Sequence, residues 1–169
     1  MKIYKSIFLY CLIPLFTIIF LNSCNDDDEP NNNPPENKGT YIPDDNFEQK
    51  LIDLGYDDVL DDYVVTFYIR KIVELKLDSL GIKDLTGIED FESLTELYCR
   101  NNELKNLDLS KNKFLEVLYC DNNQLTTLDI TNNTSLIKLY CYNNQLTTLD
   151  ITNNTSLLRL WCWRNQLKN

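Results

Sequence analysis

Cysteine is the most reactive side chain in the C-terminal half of this chain, where it recurs every 21 residues at Cys99, Cys120, Cys141 and Cys162. A zinc site gathers its ligands around one point, typically from close C-x-x-C pairs. If the repeats stack as parallel strands about 4.8 Å apart, the four sulfurs are spread over about 14 Å instead. Disulfides between neighbours are conceivable from the spacing, but parallel Cβ vectors give a poor dihedral angle. We therefore expect small buried hydrophobic side chains and no metal site.

Carboxylates recur with the same period at Asp108, Asp129 and Asp150, in the motifs LDL and LDI. Stacked carboxylates repel one another, so either turn amides or a cation such as calcium must compensate for their charge. Backbone amides are the interpretation that we favour. Catalysis is not indicated, because acid–base pairs need carboxylates in distinct environments within a cleft.

A second acidic group precedes the repeats and consists of Asp57, Asp58, Asp61 and Asp62. These carboxylates could hold calcium, but the segment lacks the glycine-centred loop of an EF-hand. We expect a solvated acidic face instead.

The composition of the chain argues against an enzyme and against nucleic-acid binding. It has no histidine, which removes the commonest general base and the commonest metal ligand. Its formal charge is −10, whereas nucleic-acid binding needs clustered Lys and Arg to displace counterions. No cofactor is indicated.

Aromatic residues provide the strongest candidate for a binding surface. In the strand ELYCR, period-two alternation turns Leu97 and Cys99 to one face and Glu96, Tyr98 and Arg100 to the other. Over all repeats, the outward aromatic positions are Tyr98, Tyr119, Tyr140, Tyr142, Trp161 and Trp163. Aromatics with polar tips are favoured at recognition surfaces for protein or sugar, although they also suit exposed strand positions. Beside them, Glu96, Val117, Lys138 and Arg159 change from acidic to basic along the chain.

These residues are positioned by an internal repeat. A 22-residue unit at 72–93 is followed by three 21-residue units at 94–114, 115–135 and 136–156 and a partial unit at 157–169. The pattern is L-x-x-L-x-C-x-x-N-x-L followed by x-x-L-D-[LI]-x-x-N. No unit can enclose a core alone, so the units must stack with parallel strands. The recurring amides of Asn102, Asn123, Asn144 and Asn165 can then bond the turn backbone of the neighbouring unit.

The pattern resembles the leucine-rich repeat family, within it the short bacterial class with a nested LDL half, sometimes called IRREKO repeats. The unit at 72–93 is similar to an internalin-type repeat, with Ile82, Leu85, Ile88 and Phe91 at its apolar positions and Leu80 in place of asparagine. The resemblance implies a repeat solenoid with short parallel β-strands on a concave face and few or no helices in the repeats. Its aromatic concave face is then the expected contact surface for a protein or glycan.

The segment 41–71 is predicted to be a small helical cap over the first unit. Asp44 or Asp45 is a suitable N-cap, Phe47, Leu51 and Leu54 have helical spacing, and Gly55 is a suitable stop. Because a terminal unit needs a polar cover, this helix is expected to close the open end of the solenoid.

The N-terminal segment 1–23 has two lysines followed by about fifteen apolar residues, which is typical of a signal peptide. The motif LNSC resembles the bacterial lipobox, which implies that Cys24 becomes the lipidated first residue of the mature protein. The following NDDDEP is similar to the surface-export tract of Bacteroidetes lipoproteins. The Asn-, Pro- and acid-rich residues 24–40 predict a flexible tether.

These features predict a lipid-anchored outer-membrane protein, exposed on the cell surface, that binds a protein or glycan through its aromatic face. The alternative is an assembly component that packs against sister chains or an outer-membrane complex. The sequence stops 13 residues into the last unit. A fragment of a longer protein, end-to-end dimerisation and tolerated fraying are the three explanations, and we favour the fragment.

Overall fold

The repeats form one parallel sheet with a strand in each unit. The structure, a computed structural model, describes residues 39–168. The sheet has five strands in sequence order, which are β3 (Glu74–Lys76), β4 (Glu96–Tyr98), β5 (Val117–Tyr119), β6 (Lys138–Tyr140) and β7 (Arg159–Trp161). Each strand pairs only with its neighbours in the sequence, so the order in space follows the order in the chain. This confirms the predicted repeat solenoid.

The register of the sheet aligns equivalent positions of successive units. Leu97 pairs with Leu118 and Leu118 with Leu139, all completely buried. The outward residues pair likewise, Tyr98 with Tyr119 and then Tyr119 with Tyr140. A slip of one residue would turn the leucines to solvent, so burial of one face fixes this register.

The predicted asparagine column lies inside the turn that follows each strand. The side-chain amide of Asn123 donates to the carbonyl of Cys120 in its own unit (3.1 Å) and to that of Cys99 in the preceding unit (2.9 Å). Its oxygen accepts from the backbone N–H of Leu104 at 3.1 Å. Asn144 repeats this arrangement one unit later. The buried turn backbone is thus satisfied by side chains, as buried polar groups require.

The asparagine that precedes each member of this buried column has a different structural role. Asn101, Asn122 and Asn143 adopt left-handed backbone angles, with φ of 55°, 56° and 54°. Asparagine tolerates this conformation better than other residues with a Cβ. The dipeptide NN therefore supplies a left-handed turn residue and then a buried amide.

A second buried asparagine column was not distinguished from ordinary turn residues by sequence reasoning. Its members are Asn112, Asn133 and Asn154. The amide of Asn133 donates to the carbonyls of Leu109 (3.0 Å) and Asn112 (2.9 Å), both in the preceding unit. Each unit is therefore tied to its predecessor at two corners.

The N-terminal cap contains a small antiparallel sheet as well as helices. The elements are β1 (Thr40–Tyr41), α1 (Asp45–Asp53), β2 (Tyr63–Val64) and α2 (Thr66–Ile69), with β1 paired to β2. A 3-10 helix, Ile88–Asp90, follows in the first repeat. The sequence predicted the helical part of the cap and missed the strand pair.

Asp44 joins the cap to the first repeat. One carboxylate oxygen accepts from the N–H groups of Asn46 and Phe47 at the start of α1, which confirms the N-cap. The other accepts from the N–H groups of Lys83 and Asp84, at 2.7 and 3.1 Å. One side chain thereby satisfies donors at both sides of the junction.

Two expectations about this region need correction. Leu54 is 45% exposed, because α1 ends at Asp53 and Leu54 is the C-cap before left-handed Gly55. The tether cannot include Thr40, which is 3% exposed, pairs with Val64 and donates to Asp90. The signal peptide 1–23, Cys24 and the rest of the predicted tether up to residue 38 lie outside the described residues.

Between residues 39 and 168, no helix combines the length and the apolar character needed to cross a bilayer.

Asn123→Ala is expected to lower the free energy of unfolding by about 2–3 kcal/mol, because it leaves the buried Leu104 N–H without an acceptor. Urea denaturation followed by circular dichroism measures this change. The matched control is Asn132→Ala at an exposed turn position, which should change stability by less than about 0.5 kcal/mol. Equal losses in the two variants would contradict the structural role of the column.

Candidate functional site

The outward side of the five-stranded sheet, called here the sheet face, carries a continuous stack of rings. We name Tyr98, Tyr119, Tyr140 and Trp161 the tyrosine column. Ring centroids of Tyr98 and Tyr119 are 5.0 Å apart at 24°, and those of Tyr119 and Tyr140 are 4.2 Å apart at 7°. Trp161 continues the column 4.7 Å from Tyr140, tilted by 52°. The parallel strand spacing sets these separations, since each ring rises from an equivalent position.

The hydroxyl groups of the tyrosine column are engaged within the sheet face. Tyr98 donates to the carboxylate of Glu96 at 2.5 Å, and this hydrogen bond, with burial, raises the pKa of Tyr98. Burial and then a hydrogen bond with Tyr140 raise the pKa of Tyr119. The hydroxyls therefore stay protonated at neutral pH and serve as hydrogen-bonding groups.

A second column runs beside the first and contains Arg100, Asp121, Tyr142 and Trp163. The rings of Tyr142 and Trp163 are 4.6 Å apart and nearly parallel, at 2°. Asp121 is only 1% exposed, and one of its carboxylate oxygens accepts from the side-chain amide of Asn122 at 2.7 Å. Hydrogen bonding to Asp121, with burial, raises the pKa of Tyr142. Asp121 thus links neighbouring units within the second column.

The six predicted contact residues differ in what they offer to a ligand. All lie on the sheet face, so the sequence assigned their direction correctly. Trp161 and Trp163 are each 50% exposed, whereas Tyr140 is 9% exposed because Tyr119 and Trp161 cover its ring. Tyr98, Tyr119 and Tyr142 are intermediate. Trp161 is more accessible because no ring stacks on its other side among residues 39–168, and Tyr140 supports the column from within.

Charge is also unevenly distributed along the sheet face. On the first strands the charged groups pair with each other, Lys76 with Glu74 at 2.7 Å and Arg100 with Asp78 at 3.0 Å. On β6 and β7 the corresponding outward positions are Lys138 and Arg159. Among residues 39–168, neither has a carboxylate within ion-pair distance. The sheet face thus changes from internally neutralised to cationic.

The four repeated cysteines lie on the core side of the sheet and are free thiols. Cys99, Cys120 and Cys141 are completely buried, and Cys162 is partly exposed. Desolvation raises the pKa of all three buried thiols, that of Cys141 to about 12. They therefore act as small apolar residues, as predicted, because the thiolate needed for metal binding or oxidation is disfavoured.

The aspartate column is compensated by backbone and side-chain donors. Asp129 accepts from the N–H and hydroxyl of Thr131 at 2.9 and 2.7 Å, and Asp150 does the same with Thr152. These bonds lower the pKa of both carboxylates. Asp108 is bonded by the Ser110 N–H in the same way. This confirms the turn-amide interpretation.

The acidic group of the cap is mostly solvated. Asp58, Asp61 and Asp62 are exposed, while burial raises the pKa of Asp57. Within the described part of the chain, no three acidic or thiol side chains are grouped as a metal would require.

Comparison with known proteins supports the repeat assignment. Residues 92–133 match the family model described as leucine rich repeats (2 copies). Internalin J of Listeria monocytogenes serotype 4b (strain F2365) is 38% identical over 72 residues, which are 43% of this chain and 8% of internalin J. The functional domain of InlJ from Listeria monocytogenes, which includes a cysteine ladder, has a TM-score of 0.71 at 36% identity, over 78% of this chain and 30% of that one. Residues 92–133 are thus similar to leucine-rich repeats.

A leucine-rich repeat protein of Leptospira interrogans shares the fold alone, with a TM-score of 0.57 and 23% identity over 60% of this chain and 28% of its own. This chain spans less than a third of each of these three relatives. The likeness therefore does not extend to the whole of any of these proteins.

Sequence reasoning found the columns but not the bonds within them. The contact of Asp121 with Tyr142, one unit away, has no signal in either residue alone. The period itself could have suggested it, because residues 21 apart in stacked units become neighbours.

The buried thiols of the leucine-rich repeats should make the protein less stable in alkali. The unfolded chain ionises its cysteines near pH 8.5, whereas the folded chain holds those protons to higher pH. Stability is therefore complete below about pH 8.5 and falls above it, by up to about 1.4 kcal/mol per pH unit for each buried thiol. Urea unfolding between pH 8 and 10 measures the slope.

Cys120→Ala should reduce that slope by about the contribution of one buried thiol. Unfolding free energies that stay constant from pH 8 to 10 would show that the thiols are not buried.

Proposed function

We propose that this protein is a binding protein whose ligand, a protein or a glycan, lies on the sheet face. The observation that carries the proposal is the alignment of aromatic residues at constant phase, with Trp161 and Trp163 half exposed where the columns reach the last described unit. Tryptophan, tyrosine and arginine are the residues most enriched at energetic hot spots. Repetition builds a long surface, which suits an extended ligand.

The cavities support a surface rather than a pocket as the site. Cavities of about 320 and 400 Å³ lie against turn residues such as Asp108, Ser110 and Asp129, away from the aromatic columns. A binding role without enzymatic activity is therefore proposed, in keeping with the absence of histidine from the sequence.

We further propose that the protein is held at the outer membrane by lipid on Cys24, with residues 25–38 as the tether, and is displayed on the cell surface. The support is the sequence alone, namely the apolar leader, LNSC and the acidic tract that follows. Several acyl chains anchor a protein firmly, whereas one holds only marginally.

Cys24→Ser is expected to abolish acylation and to release the protein from the membrane fraction. Labelling of cells with alkyne palmitate, followed by fractionation, tests this in the full chain. Cys11→Ser is the matched control and should label like the wild type. Equal labelling of the Cys24→Ser protein would contradict the anchor.

Removal of both exposed tryptophans, Trp161→Ala with Trp163→Ala, should reduce binding to protein and glycan arrays by at least about tenfold. The detergent-solubilised full chain is applied to both arrays. Phe114→Ala is the matched control, because Phe114 is exposed but does not lie on the sheet face. Tyr140→Ala is less suitable, since it opens the middle of the stack.

Array signals that survive loss of both tryptophans would contradict binding by the sheet face. The alternative function, assembly with sister chains, makes a separate prediction. Under that alternative, the arrays give no signal and the molar mass by light scattering rises with protein concentration.

A further inference from the structure

We infer that the ligand is a protein segment rich in carboxylates, which docks on the sheet face across β6 and β7. Its contacts are the cationic patch, defined as Lys138, Arg159 and Arg164, together with Trp161 and Trp163. This inference rests on the proposed function and adds the chemical class of the partner and the end of the sheet that it occupies.

Charge complementarity is the first support. The chain carries a formal charge of −10, yet the outward positions of β6 and β7 provide Lys138 and Arg159 and no carboxylate. Equivalent positions on β3 and β4 are Glu74 and Glu96. An acidic partner is repelled by most of the molecule and attracted at this end, so the patch also fixes where and in which direction it docks.

The geometry of the rings is the second support. Tyr119 and Tyr140 have neighbouring rings on both sides, and Trp163 lies against Tyr142 and under the guanidinium of Arg164, 4.9 Å from its centroid. The faces of these three rings are thus largely covered, whereas Trp161 is half exposed. Aromatic faces are electron-rich and edges are electron-poor. Edges favour carboxylate and carbonyl oxygens, whereas stacking on the apolar side of a sugar needs open faces.

The backbone at Arg164 is the third support. Arg164 occupies the left-handed position that is filled by asparagine in the three preceding units, with φ of 52°. A long side chain gains nothing locally from this conformation, which asparagine tolerates better. Departures from the locally preferred residue are expected at functional sites. At this position, the arginine places a third cation beside Trp163 on the sheet face.

These observations favour a protein over an acidic polysaccharide. A polysaccharide would use the cations but would find the faces of Tyr119, Tyr140 and Trp163 covered. An acidic peptide segment can pair its carboxylates with the patch and place apolar side chains against Trp161. Exposed tryptophan flanked by arginine is also the composition of a protein–protein hot spot.

Intrinsic fluorescence provides a direct test, because Trp161 and Trp163 are the only tryptophans of the chain. The detergent-solubilised full chain is titrated with poly-L-glutamate, polygalacturonate and dextran. Poly-L-glutamate is expected to shift or quench the emission, with affinity that falls as salt rises. Polygalacturonate should bind at least about tenfold more weakly, because the faces of Tyr140 and Trp163 are covered. Dextran should leave the emission unchanged.

Two variants locate the site. Lys138→Gln with Arg159→Gln should weaken poly-L-glutamate binding by about tenfold and reduce its salt dependence. Lys105→Gln with Lys113→Gln changes the net charge equally, at exposed positions outside the strands, and should bind like the wild type. Arg164→Asn should weaken binding about threefold while raising the urea midpoint of unfolding, so a folding defect cannot explain the loss.

Each contrary result is decisive. If both double variants lose the same amount of poly-L-glutamate binding, net charge and not the patch governs binding. If polygalacturonate binds as tightly as poly-L-glutamate, the sheet face is assigned to an acidic glycan. Either result overturns the inference. If poly-L-glutamate fails while the array signal still depends on Trp161 and Trp163, only the acidic partner is wrong. If the array signal is also independent of them, the proposed function fails as well.

Discussion

A continuous relay of hydrogen bonds inside the turns holds the units at constant phase. The carbonyl of Cys99 accepts from Asn102 (3.0 Å) and Asn123 (2.9 Å), and that of Cys120 accepts from Asn123 (3.1 Å) and Asn144 (3.0 Å). Each amide thus joins its own turn to the preceding one. The relay is buried, where an unpaired polar group costs about 1–3 kcal/mol. A unit that shifted out of phase would leave several such groups unpaired.

Because the buried side chains occupy equivalent positions in every unit, the outward side chains do so as well. Because Leu97, Leu118 and Leu139 stack in register, the alternate residues must stack as well, and tyrosines at equivalent positions come into contact without further design. Their separations of 4.2 and 5.0 Å approximate the spacing between strands. The cysteines of the core need no metal or covalent bond for this arrangement. The thiols of Cys99, Cys120 and Cys141 are buried and protonated, and they act as small apolar side chains.

The sheet face carries features that stability alone does not explain. Asp121 buries a carboxylate with one oxygen that has no hydrogen-bond partner among residues 39–168, and Arg164 holds a left-handed angle without the tolerance of asparagine. Both lie beside the aromatic columns and depart from the repeated pattern. The regular residues therefore define the scaffold, whereas the irregular ones distinguish this surface from a generic solenoid.

The sequence by itself determined the repeat, the strand register, the inward cysteines, the buried Asn123 column and a helix N-cap at Asp44 or Asp45, of which the structure has Asp44. These follow from local period and residue type, because a repeated unit finds the same environment in every copy. Only the tertiary structure decided that Tyr140 is covered while Trp161 is exposed, that Asn133 is buried, that Thr40 pairs with Val64, and that Leu54 faces solvent. Exposure and pairing of this kind depend on side chains from other units or from distant segments. No local pattern contains that information, since it arises only when the chain brings them together.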